Sequence, residues 1–360
     1  MRIESQILKS EINLQSAICN LKLVCRFHVP LASRSVLAIV VAVAVQLSVS
    51  AQQTQKLPRT PDGHPDLQGV WLSNAATPLE RPKALEGKPL LTAEEVKELK
   101  ARADRIFKDG KADAAPGDNF FLATLANPER YKNPNATGGA EDLIDREFEN
   151  RTSLIVDPPD GKIPWTPEGQ RRQTAIAAAR LAAAPAGPED LSNEMRCLTF
   201  GTPRLGGPYS AGAFSYYQIL QTPGYVILNM EFAHEARIVP MDGRPHLPEA
   251  IRQWSGDSRG RWDGDTLVIE STNFSPRSFF LGSSDQLHLV ERFTRVALDT
   301  IKYDVTVTDP STWTKPWSAE IRLKRTQDQL YEVACHEGNF RIVTDILAGA
   351  HASGKEPERK

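Results

Sequence analysis

Seven side chains that could move a proton, bind an anion or ligate a metal fall within sixteen residues: Glu231, His234, Glu235, Arg237, Asp242, Arg244 and His246. A further pair, His336-Glu337, directly follows Cys335. Imidazole is the side chain whose ordinary pKa lies nearest neutrality, so two histidines with carboxylates nearby offer a general acid and a general base. The same groups form a ligand set, with His234, His246 and His336 as nitrogen donors and Glu231 or Glu337 as oxygen donor. A turn falls between His234 and His246, so their spacing fixes no ligand geometry; no metal is assigned and the cofactor stays open. The competing reading makes each histidine a hydrogen-bonded structural residue, and it is preferred for His64 and His288.

His234, Glu231 and His336 lead as catalytic or ligand-binding residues, with Glu337 and Arg237 beside them. Arg244 and His246 form a second set, because a meander places alternate turns at opposite ends of its strands. Nucleophile elbow, Walker loop, dinucleotide fingerprint and HExxH pattern are all missing from the sequence.

The elements that must hold these groups are mostly strands. After residue 205, β-branched and aromatic runs alternate with turn residues: Tyr216–Gln221, Tyr225–Glu231, Ala236–Pro240, Gly260–Trp262, Thr266–Thr272, Leu287–Val296, Thr300–Thr308, Ala319–Arg325 and Leu330–Cys335. Asp263-Gly264-Asp265 suits a tight hairpin, whereas Asp257-Ser258 and Asp309-Pro310 read as turns. Successive hairpins without helices predict an antiparallel meander closing into a barrel, which removes its edges. Trp254, Trp262, Trp313, Trp317, Tyr216, Tyr217, Phe279 and Phe280 exceed the needs of one small core and are expected to line a ligand cavity.

Upstream, Thr92 with Glu95 forms a capping-box pattern opening a helix to about Phe107, and Thr166-Pro167 opens another that stops before Pro185. Residues 109–139 read as a long loop. A short helix, Val343–Ala350, precedes a charged tail.

The 360 residues carry 43 basic and 45 acidic side chains, a net charge of −2, which gives no field to recruit a nucleic acid. Ser35–Val45 reads as the apolar core of a signal peptide, preceded by Lys22, Arg26 and Arg34 and followed by Val49-Ser50-Ala51. Cleavage is expected after Ala51, leaving no stable membrane span; the alternative is an uncleaved anchor. Export to a periplasmic or extracellular compartment makes a disulfide the first reading for Cys197 and Cys335, ahead of buried free thiols or a reactive Cys335. The expected organisation is a leader at 1–51, one elaborated barrel domain at 52–351 with a helical and loop insertion over about 80–200, and a tail at 352–360.

Several motifs in one order carry a resemblance: Arg196-Cys197-Leu198, His234–His246 (HEARIVPMDGRPH), Gly256–Leu267 (GDSRGRWDGDTL), Thr308-Asp309-Pro310 and Cys335–Asn339 (CHEGN). Together they resemble a large family of exported, functionally uncharacterised bacterial proteins, which implies a single unit and no catalytic assignment. Gly69-Val70-Trp71 is similar to the Gly-x-Trp that begins the first strand of lipocalin-like barrels; a tryptophan packed under a sheet after a glycine turn is the plainer alternative. The leading functional expectation is an exported barrel that binds a small, partly apolar ligand. The alternatives are a secreted hydrolase, lyase or isomerase using His/Glu acid-base chemistry on a carbohydrate or aromatic, and a structural envelope protein.

Overall fold

The computed structural model describes residues 56–108, 112, 115, 117–126, 131–132, 146–182, 185, 187–199, 201–203, 216–231, 235–278, 280–331 and 335–352. The leader, the charged tail beyond Ala352, His234 and Phe279 lie outside these residues.

Among the described residues ten strands form one antiparallel sheet. They are β1 (Gly69–Leu72), β2 (Ile155–Asp157), β3 (Tyr216–Thr222), β4 (Tyr225–Met230), β5 (Ala236–Pro240), β6 (Asp257–Asp263), β7 (Thr266–Thr272), β8 (His288–Ala297), β9 (Thr300–Thr308) and β10 (Trp317–Thr326). The order is β5-β4-β3-β1-β10-β9-β8-β7-β6, and β2 pairs with β10 off this path. Successive side chains of a strand face opposite sides, so alternation decides what is enclosed. Leu289, Glu291, Phe293 and Arg295 of β8, with Ile301, Tyr303, Val305 and Val307 of β9, are buried on the inner face. Each large apolar side chain there contributes about 1.5–3 kcal/mol by leaving water.

The meander curls but does not close into the expected barrel. Nine strands alternate in direction along the path, so its two ends, β5 and β6, run the same way and cannot pair antiparallel. They abut through side chains: a Cβ on Gly260 would lie 2.3 Å from Met241 Sδ and 2.9 Å from Val239 Cγ1. Residues 241–247 then run back along the free edge of β6. Arg259 Nε donates to the Pro245 carbonyl at 2.9 Å, and the Leu247 N–H donates to Asp257 Oδ2 at 2.9 Å. This strap covers an edge that would otherwise invite pairing with another chain. Asp257, expected in a turn, begins β6.

One end of the curl is plugged around Trp71, which is fully buried and donates its indole N–H to the Leu67 carbonyl at 2.8 Å. The guanidinium groups of Arg295 and Arg325 lie 5.4 and 5.7 Å from its ring. Part of the other end is plugged by Trp313, Trp317 and Phe280, with ring centroids 5.7–6.4 Å apart.

Among the described residues the stretch between β1 and β3 holds three α-helices, α1 (Ala93–Phe107), α2 (Asp118–Ala126) and α3 (Pro167–Ala182). The Thr92/Glu95 capping box is formed reciprocally. At α3, Thr166 accepts the Gly169 N–H at 2.9 Å, and a Cβ on Gly169 would come within 2.2 Å of the Thr312 carbonyl, so only glycine lets the helix sit this close. α2 lies inside the expected long loop, with Phe121 packed on Leu91 and Leu99. Of the expected last strand at Leu330–Cys335, residues 332–334 lie outside the described residues, Leu330 and Tyr331 belong to no strand, and Cys335 opens a helix, α4 (Cys335–Ala352), longer than the short one expected. No helix among the described residues is long and apolar enough to cross a membrane.

Candidate functional site

Three polar side chains meet on the inner face of the sheet, at positions its alternation would otherwise fill with apolar groups. Arg237 of β5 reaches across to Glu291 of β8, with Nη1–Oε2 at 2.6 Å and Nη2–Oε1 at 3.0 Å. Tyr303 of β9 donates its hydroxyl hydrogen to Glu291 Oε1 at 2.8 Å. Their exposures are 8%, 2% and 5%, so the ion pair is held away from water and its two-pronged contact fixes both groups in one geometry. Burial works against the charge on Arg237, but Glu291 outweighs it and raises the pKa. Burial, and then the charge of Glu291, push the Tyr303 hydroxyl well above its ordinary value, so it stays a donor.

Beside this triad lies a cavity of about 20 Å³, room for one water molecule. Tyr217, Leu228, Met230, Phe293 and Leu323 give it apolar walls, and Thr202 with Pro203 covers it. Thr202 is 5% exposed, and its hydroxyl has no hydrogen-bond partner among the described residues. A buried hydroxyl left in that state costs about 1–3 kcal/mol and calls for an explanation.

The covering segment is fastened on its N-terminal side. Cys197 and Cys335 form a disulfide with Cα atoms 5.9 Å apart. Asn339 Nδ2 donates to the Met195 carbonyl at 3.0 Å. Two residues beyond Cys197, the Thr199 hydroxyl donates to the Glu235 carboxylate at 3.0–3.1 Å, joining the cover to the entrance of β5. Cys197 itself holds a φ of +55°, a left-handed conformation that costs a non-glycine residue about 1–2 kcal/mol.

Of the residues singled out from sequence, His234 lies outside the described residues, and the others occupy different settings. Arg237, expected beside His234 and Glu231 as a catalytic or ligand-binding residue, is the buried cation of the triad. Glu231 follows β4 at that rim, half-buried, its N–H donating to the Tyr216 carbonyl at 3.3 Å. His336 and Glu337 are exposed on the first turn of α4. Arg244 pairs with Asp242, holding its carboxyl down at about 2, and lies 5.9 Å from the Tyr225 ring. His246 Nδ1 meets Asp257 Oδ2 at 2.9 Å in the strap. Burial pushes the Asp257 carboxyl up, but the Leu247 N–H, His246 and Arg259 hold it below its ordinary value. His288 bonds Glu270 at 2.8 Å, and His64 stacks on Trp262 at 4.5 Å. No cluster of three metal-ligating side chains occurs among the described residues.

Of the aromatic set expected to line a cavity, Tyr217 does so, whereas Trp313, Trp317 and Phe280 fill core. Sequence reasoning passes over Glu291, Tyr303 and Thr202. The signal for Glu291 is its alternation with Leu289 and Phe293, which puts a carboxylate on an apolar face.

No protein-family profile matches the chain, and no curated protein does. Among solved structures, a mutant of the fluorescent protein UnaG is similar at 14% identity, over 38% of this chain and 87% of that one, with a TM-score of 0.22.

Proposed function

We propose that this is an exported protein that binds a small, partly apolar molecule inside the curled sheet, entering at the rim where β3 and β5 begin. The carrying observation is a buried polar triad beside a cavity lined by Thr202, whose hydroxyl has no partner among the described residues. An ion pair out of water rarely improves on an apolar core of the same volume, so stability alone gives weak reason for Arg237 and Glu291. Orienting a ligand gives a better one, since binding sites are apolar with a few placed polar groups. A ligand larger than water must displace Met230, an unbranched and adaptable side chain, together with the Thr202-Pro203 cover. The disulfide supports the export reading, because such bonds persist in oxidising compartments.

A second reading, a structural or envelope-interaction protein, is favoured by the packing of Trp313, Trp317 and Phe280 in the protein's own core. Titration with the neutral dye N-phenyl-1-naphthylamine, fluorescent in apolar sites, separates the two. One-site saturation that is lost in Met230→Trp supports binding in this cavity. No saturation, or saturation unchanged in that variant, favours the structural reading.

A further inference from the structure

The geometry points to an uncharged ligand head group that both donates and accepts hydrogen bonds, a primary amide being the simplest. This rests on the cavity being a binding site. Within the cavity wall the charges already cancel, since Arg237 is held by both oxygens of Glu291 at 2.6 and 3.0 Å. Among the lining residues an added anion would face Glu291 with no unmatched cation to meet it, and an added cation would face Arg237 with no unmatched carboxylate, Glu235 acting on Arg237 from outside the wall. Bringing either out of water without a counter-charge is strongly unfavourable.

Hydrogen-bonding capacity narrows the class further. Tyr303 spends its one hydrogen on Glu291, so its oxygen can only accept from a ligand. Glu291 likewise only accepts. Arg237 only donates, and the Thr202 hydroxyl, without a partner among the described residues, can do either. A carboxylate offers no donor to Tyr303 or Glu291, and an ammonium offers no acceptor to Arg237. An amide offers both from one planar group, with its alkyl or aryl part on Leu228, Met230 and Phe293.

Displacement of N-phenyl-1-naphthylamine by four eight-carbon probes, octanamide, 1-octanol, octanoate and octylamine, tests this at pH 7.5. Octanamide is expected to displace the dye at a concentration at least tenfold below octanoate and octylamine, with 1-octanol between. In Glu291→Gln, Arg237 loses its counter-charge and octanoate is expected to gain at least tenfold relative to octanamide. If octanoate or octylamine equals or beats octanamide in the unaltered protein, the head-group assignment is overturned while the binding site stands. If the dye itself never saturates, the binding site falls and the assignment with it. Should Glu291→Gln not fold, the order of the four probes on the unaltered protein still decides.

Discussion

The Arg237–Glu291 pair joins residues 54 apart in sequence and is almost fully dehydrated, so its members are coupled far more tightly than surface ions. Arg237→Met leaves the carboxylate with one tyrosine hydroxyl and no cation, and is expected to cost about 3–5 kcal/mol. Arg237→Met with Glu291→Leu removes both charges at similar volume and is expected to recover most of that loss. Urea unfolding of the two single variants and the double measures it; single losses below about 1 kcal/mol that simply add would show that the pair is not coupled. Residues of this kind are half legible in the sequence. Arg237 stands out as one of many charges in a short stretch. Glu291 does not, because a charge within a strand reads as outward-facing until the two-residue period of Leu289, Glu291 and Phe293 is followed through.

At the scale of elements, the seam between β5 and β6 depends on Gly260 having no side chain. Gly260→Ala places a methyl against Met241 and Val239 and is expected to destabilise by about 1–3 kcal/mol, part of it regained in Gly260→Ala with Met241→Ala. Thermal unfolding of the three proteins checks this, and a neutral Gly260→Ala would mean the edges do not meet closely. Elements with a local signature are readable from the amino acids alone: the Thr92/Glu95 box, proline at the start of α3, and the hairpin at Asp263-Gly264-Asp265. α2 is not, because Phe120, Phe121, Leu122 and Leu125 surround the helix and leave no polar face to mark its period. Cys335 also misleads, since an apolar residue closing a short run reads as the end of a strand as readily as the first residue of a helix. Its disulfide partner follows from cysteine number together with the expected export.

For the whole molecule, the meander is legible and its closure is not. Each hairpin is a local event, but whether the ends can pair depends on the parity of the strand count, and β1 joins the sheet from far upstream. Adding that strand makes nine on the path, leaves β5 and β6 parallel, and hands the seam to side chains and the strap. The same curl brings residues from β5, β8 and β9 to one interior point that no local stretch of sequence contains. Whether this point receives a ligand's polar head is read from a crystal structure of the protein with octanamide. The amide is predicted within about 3 Å of Thr202 Oγ1 and the Arg237 guanidinium, with Met230 moved aside and the alkyl chain between Leu228 and Phe293. Octanamide found only outside the sheet, with Met230 and Thr202 in place around a single water, would contradict it.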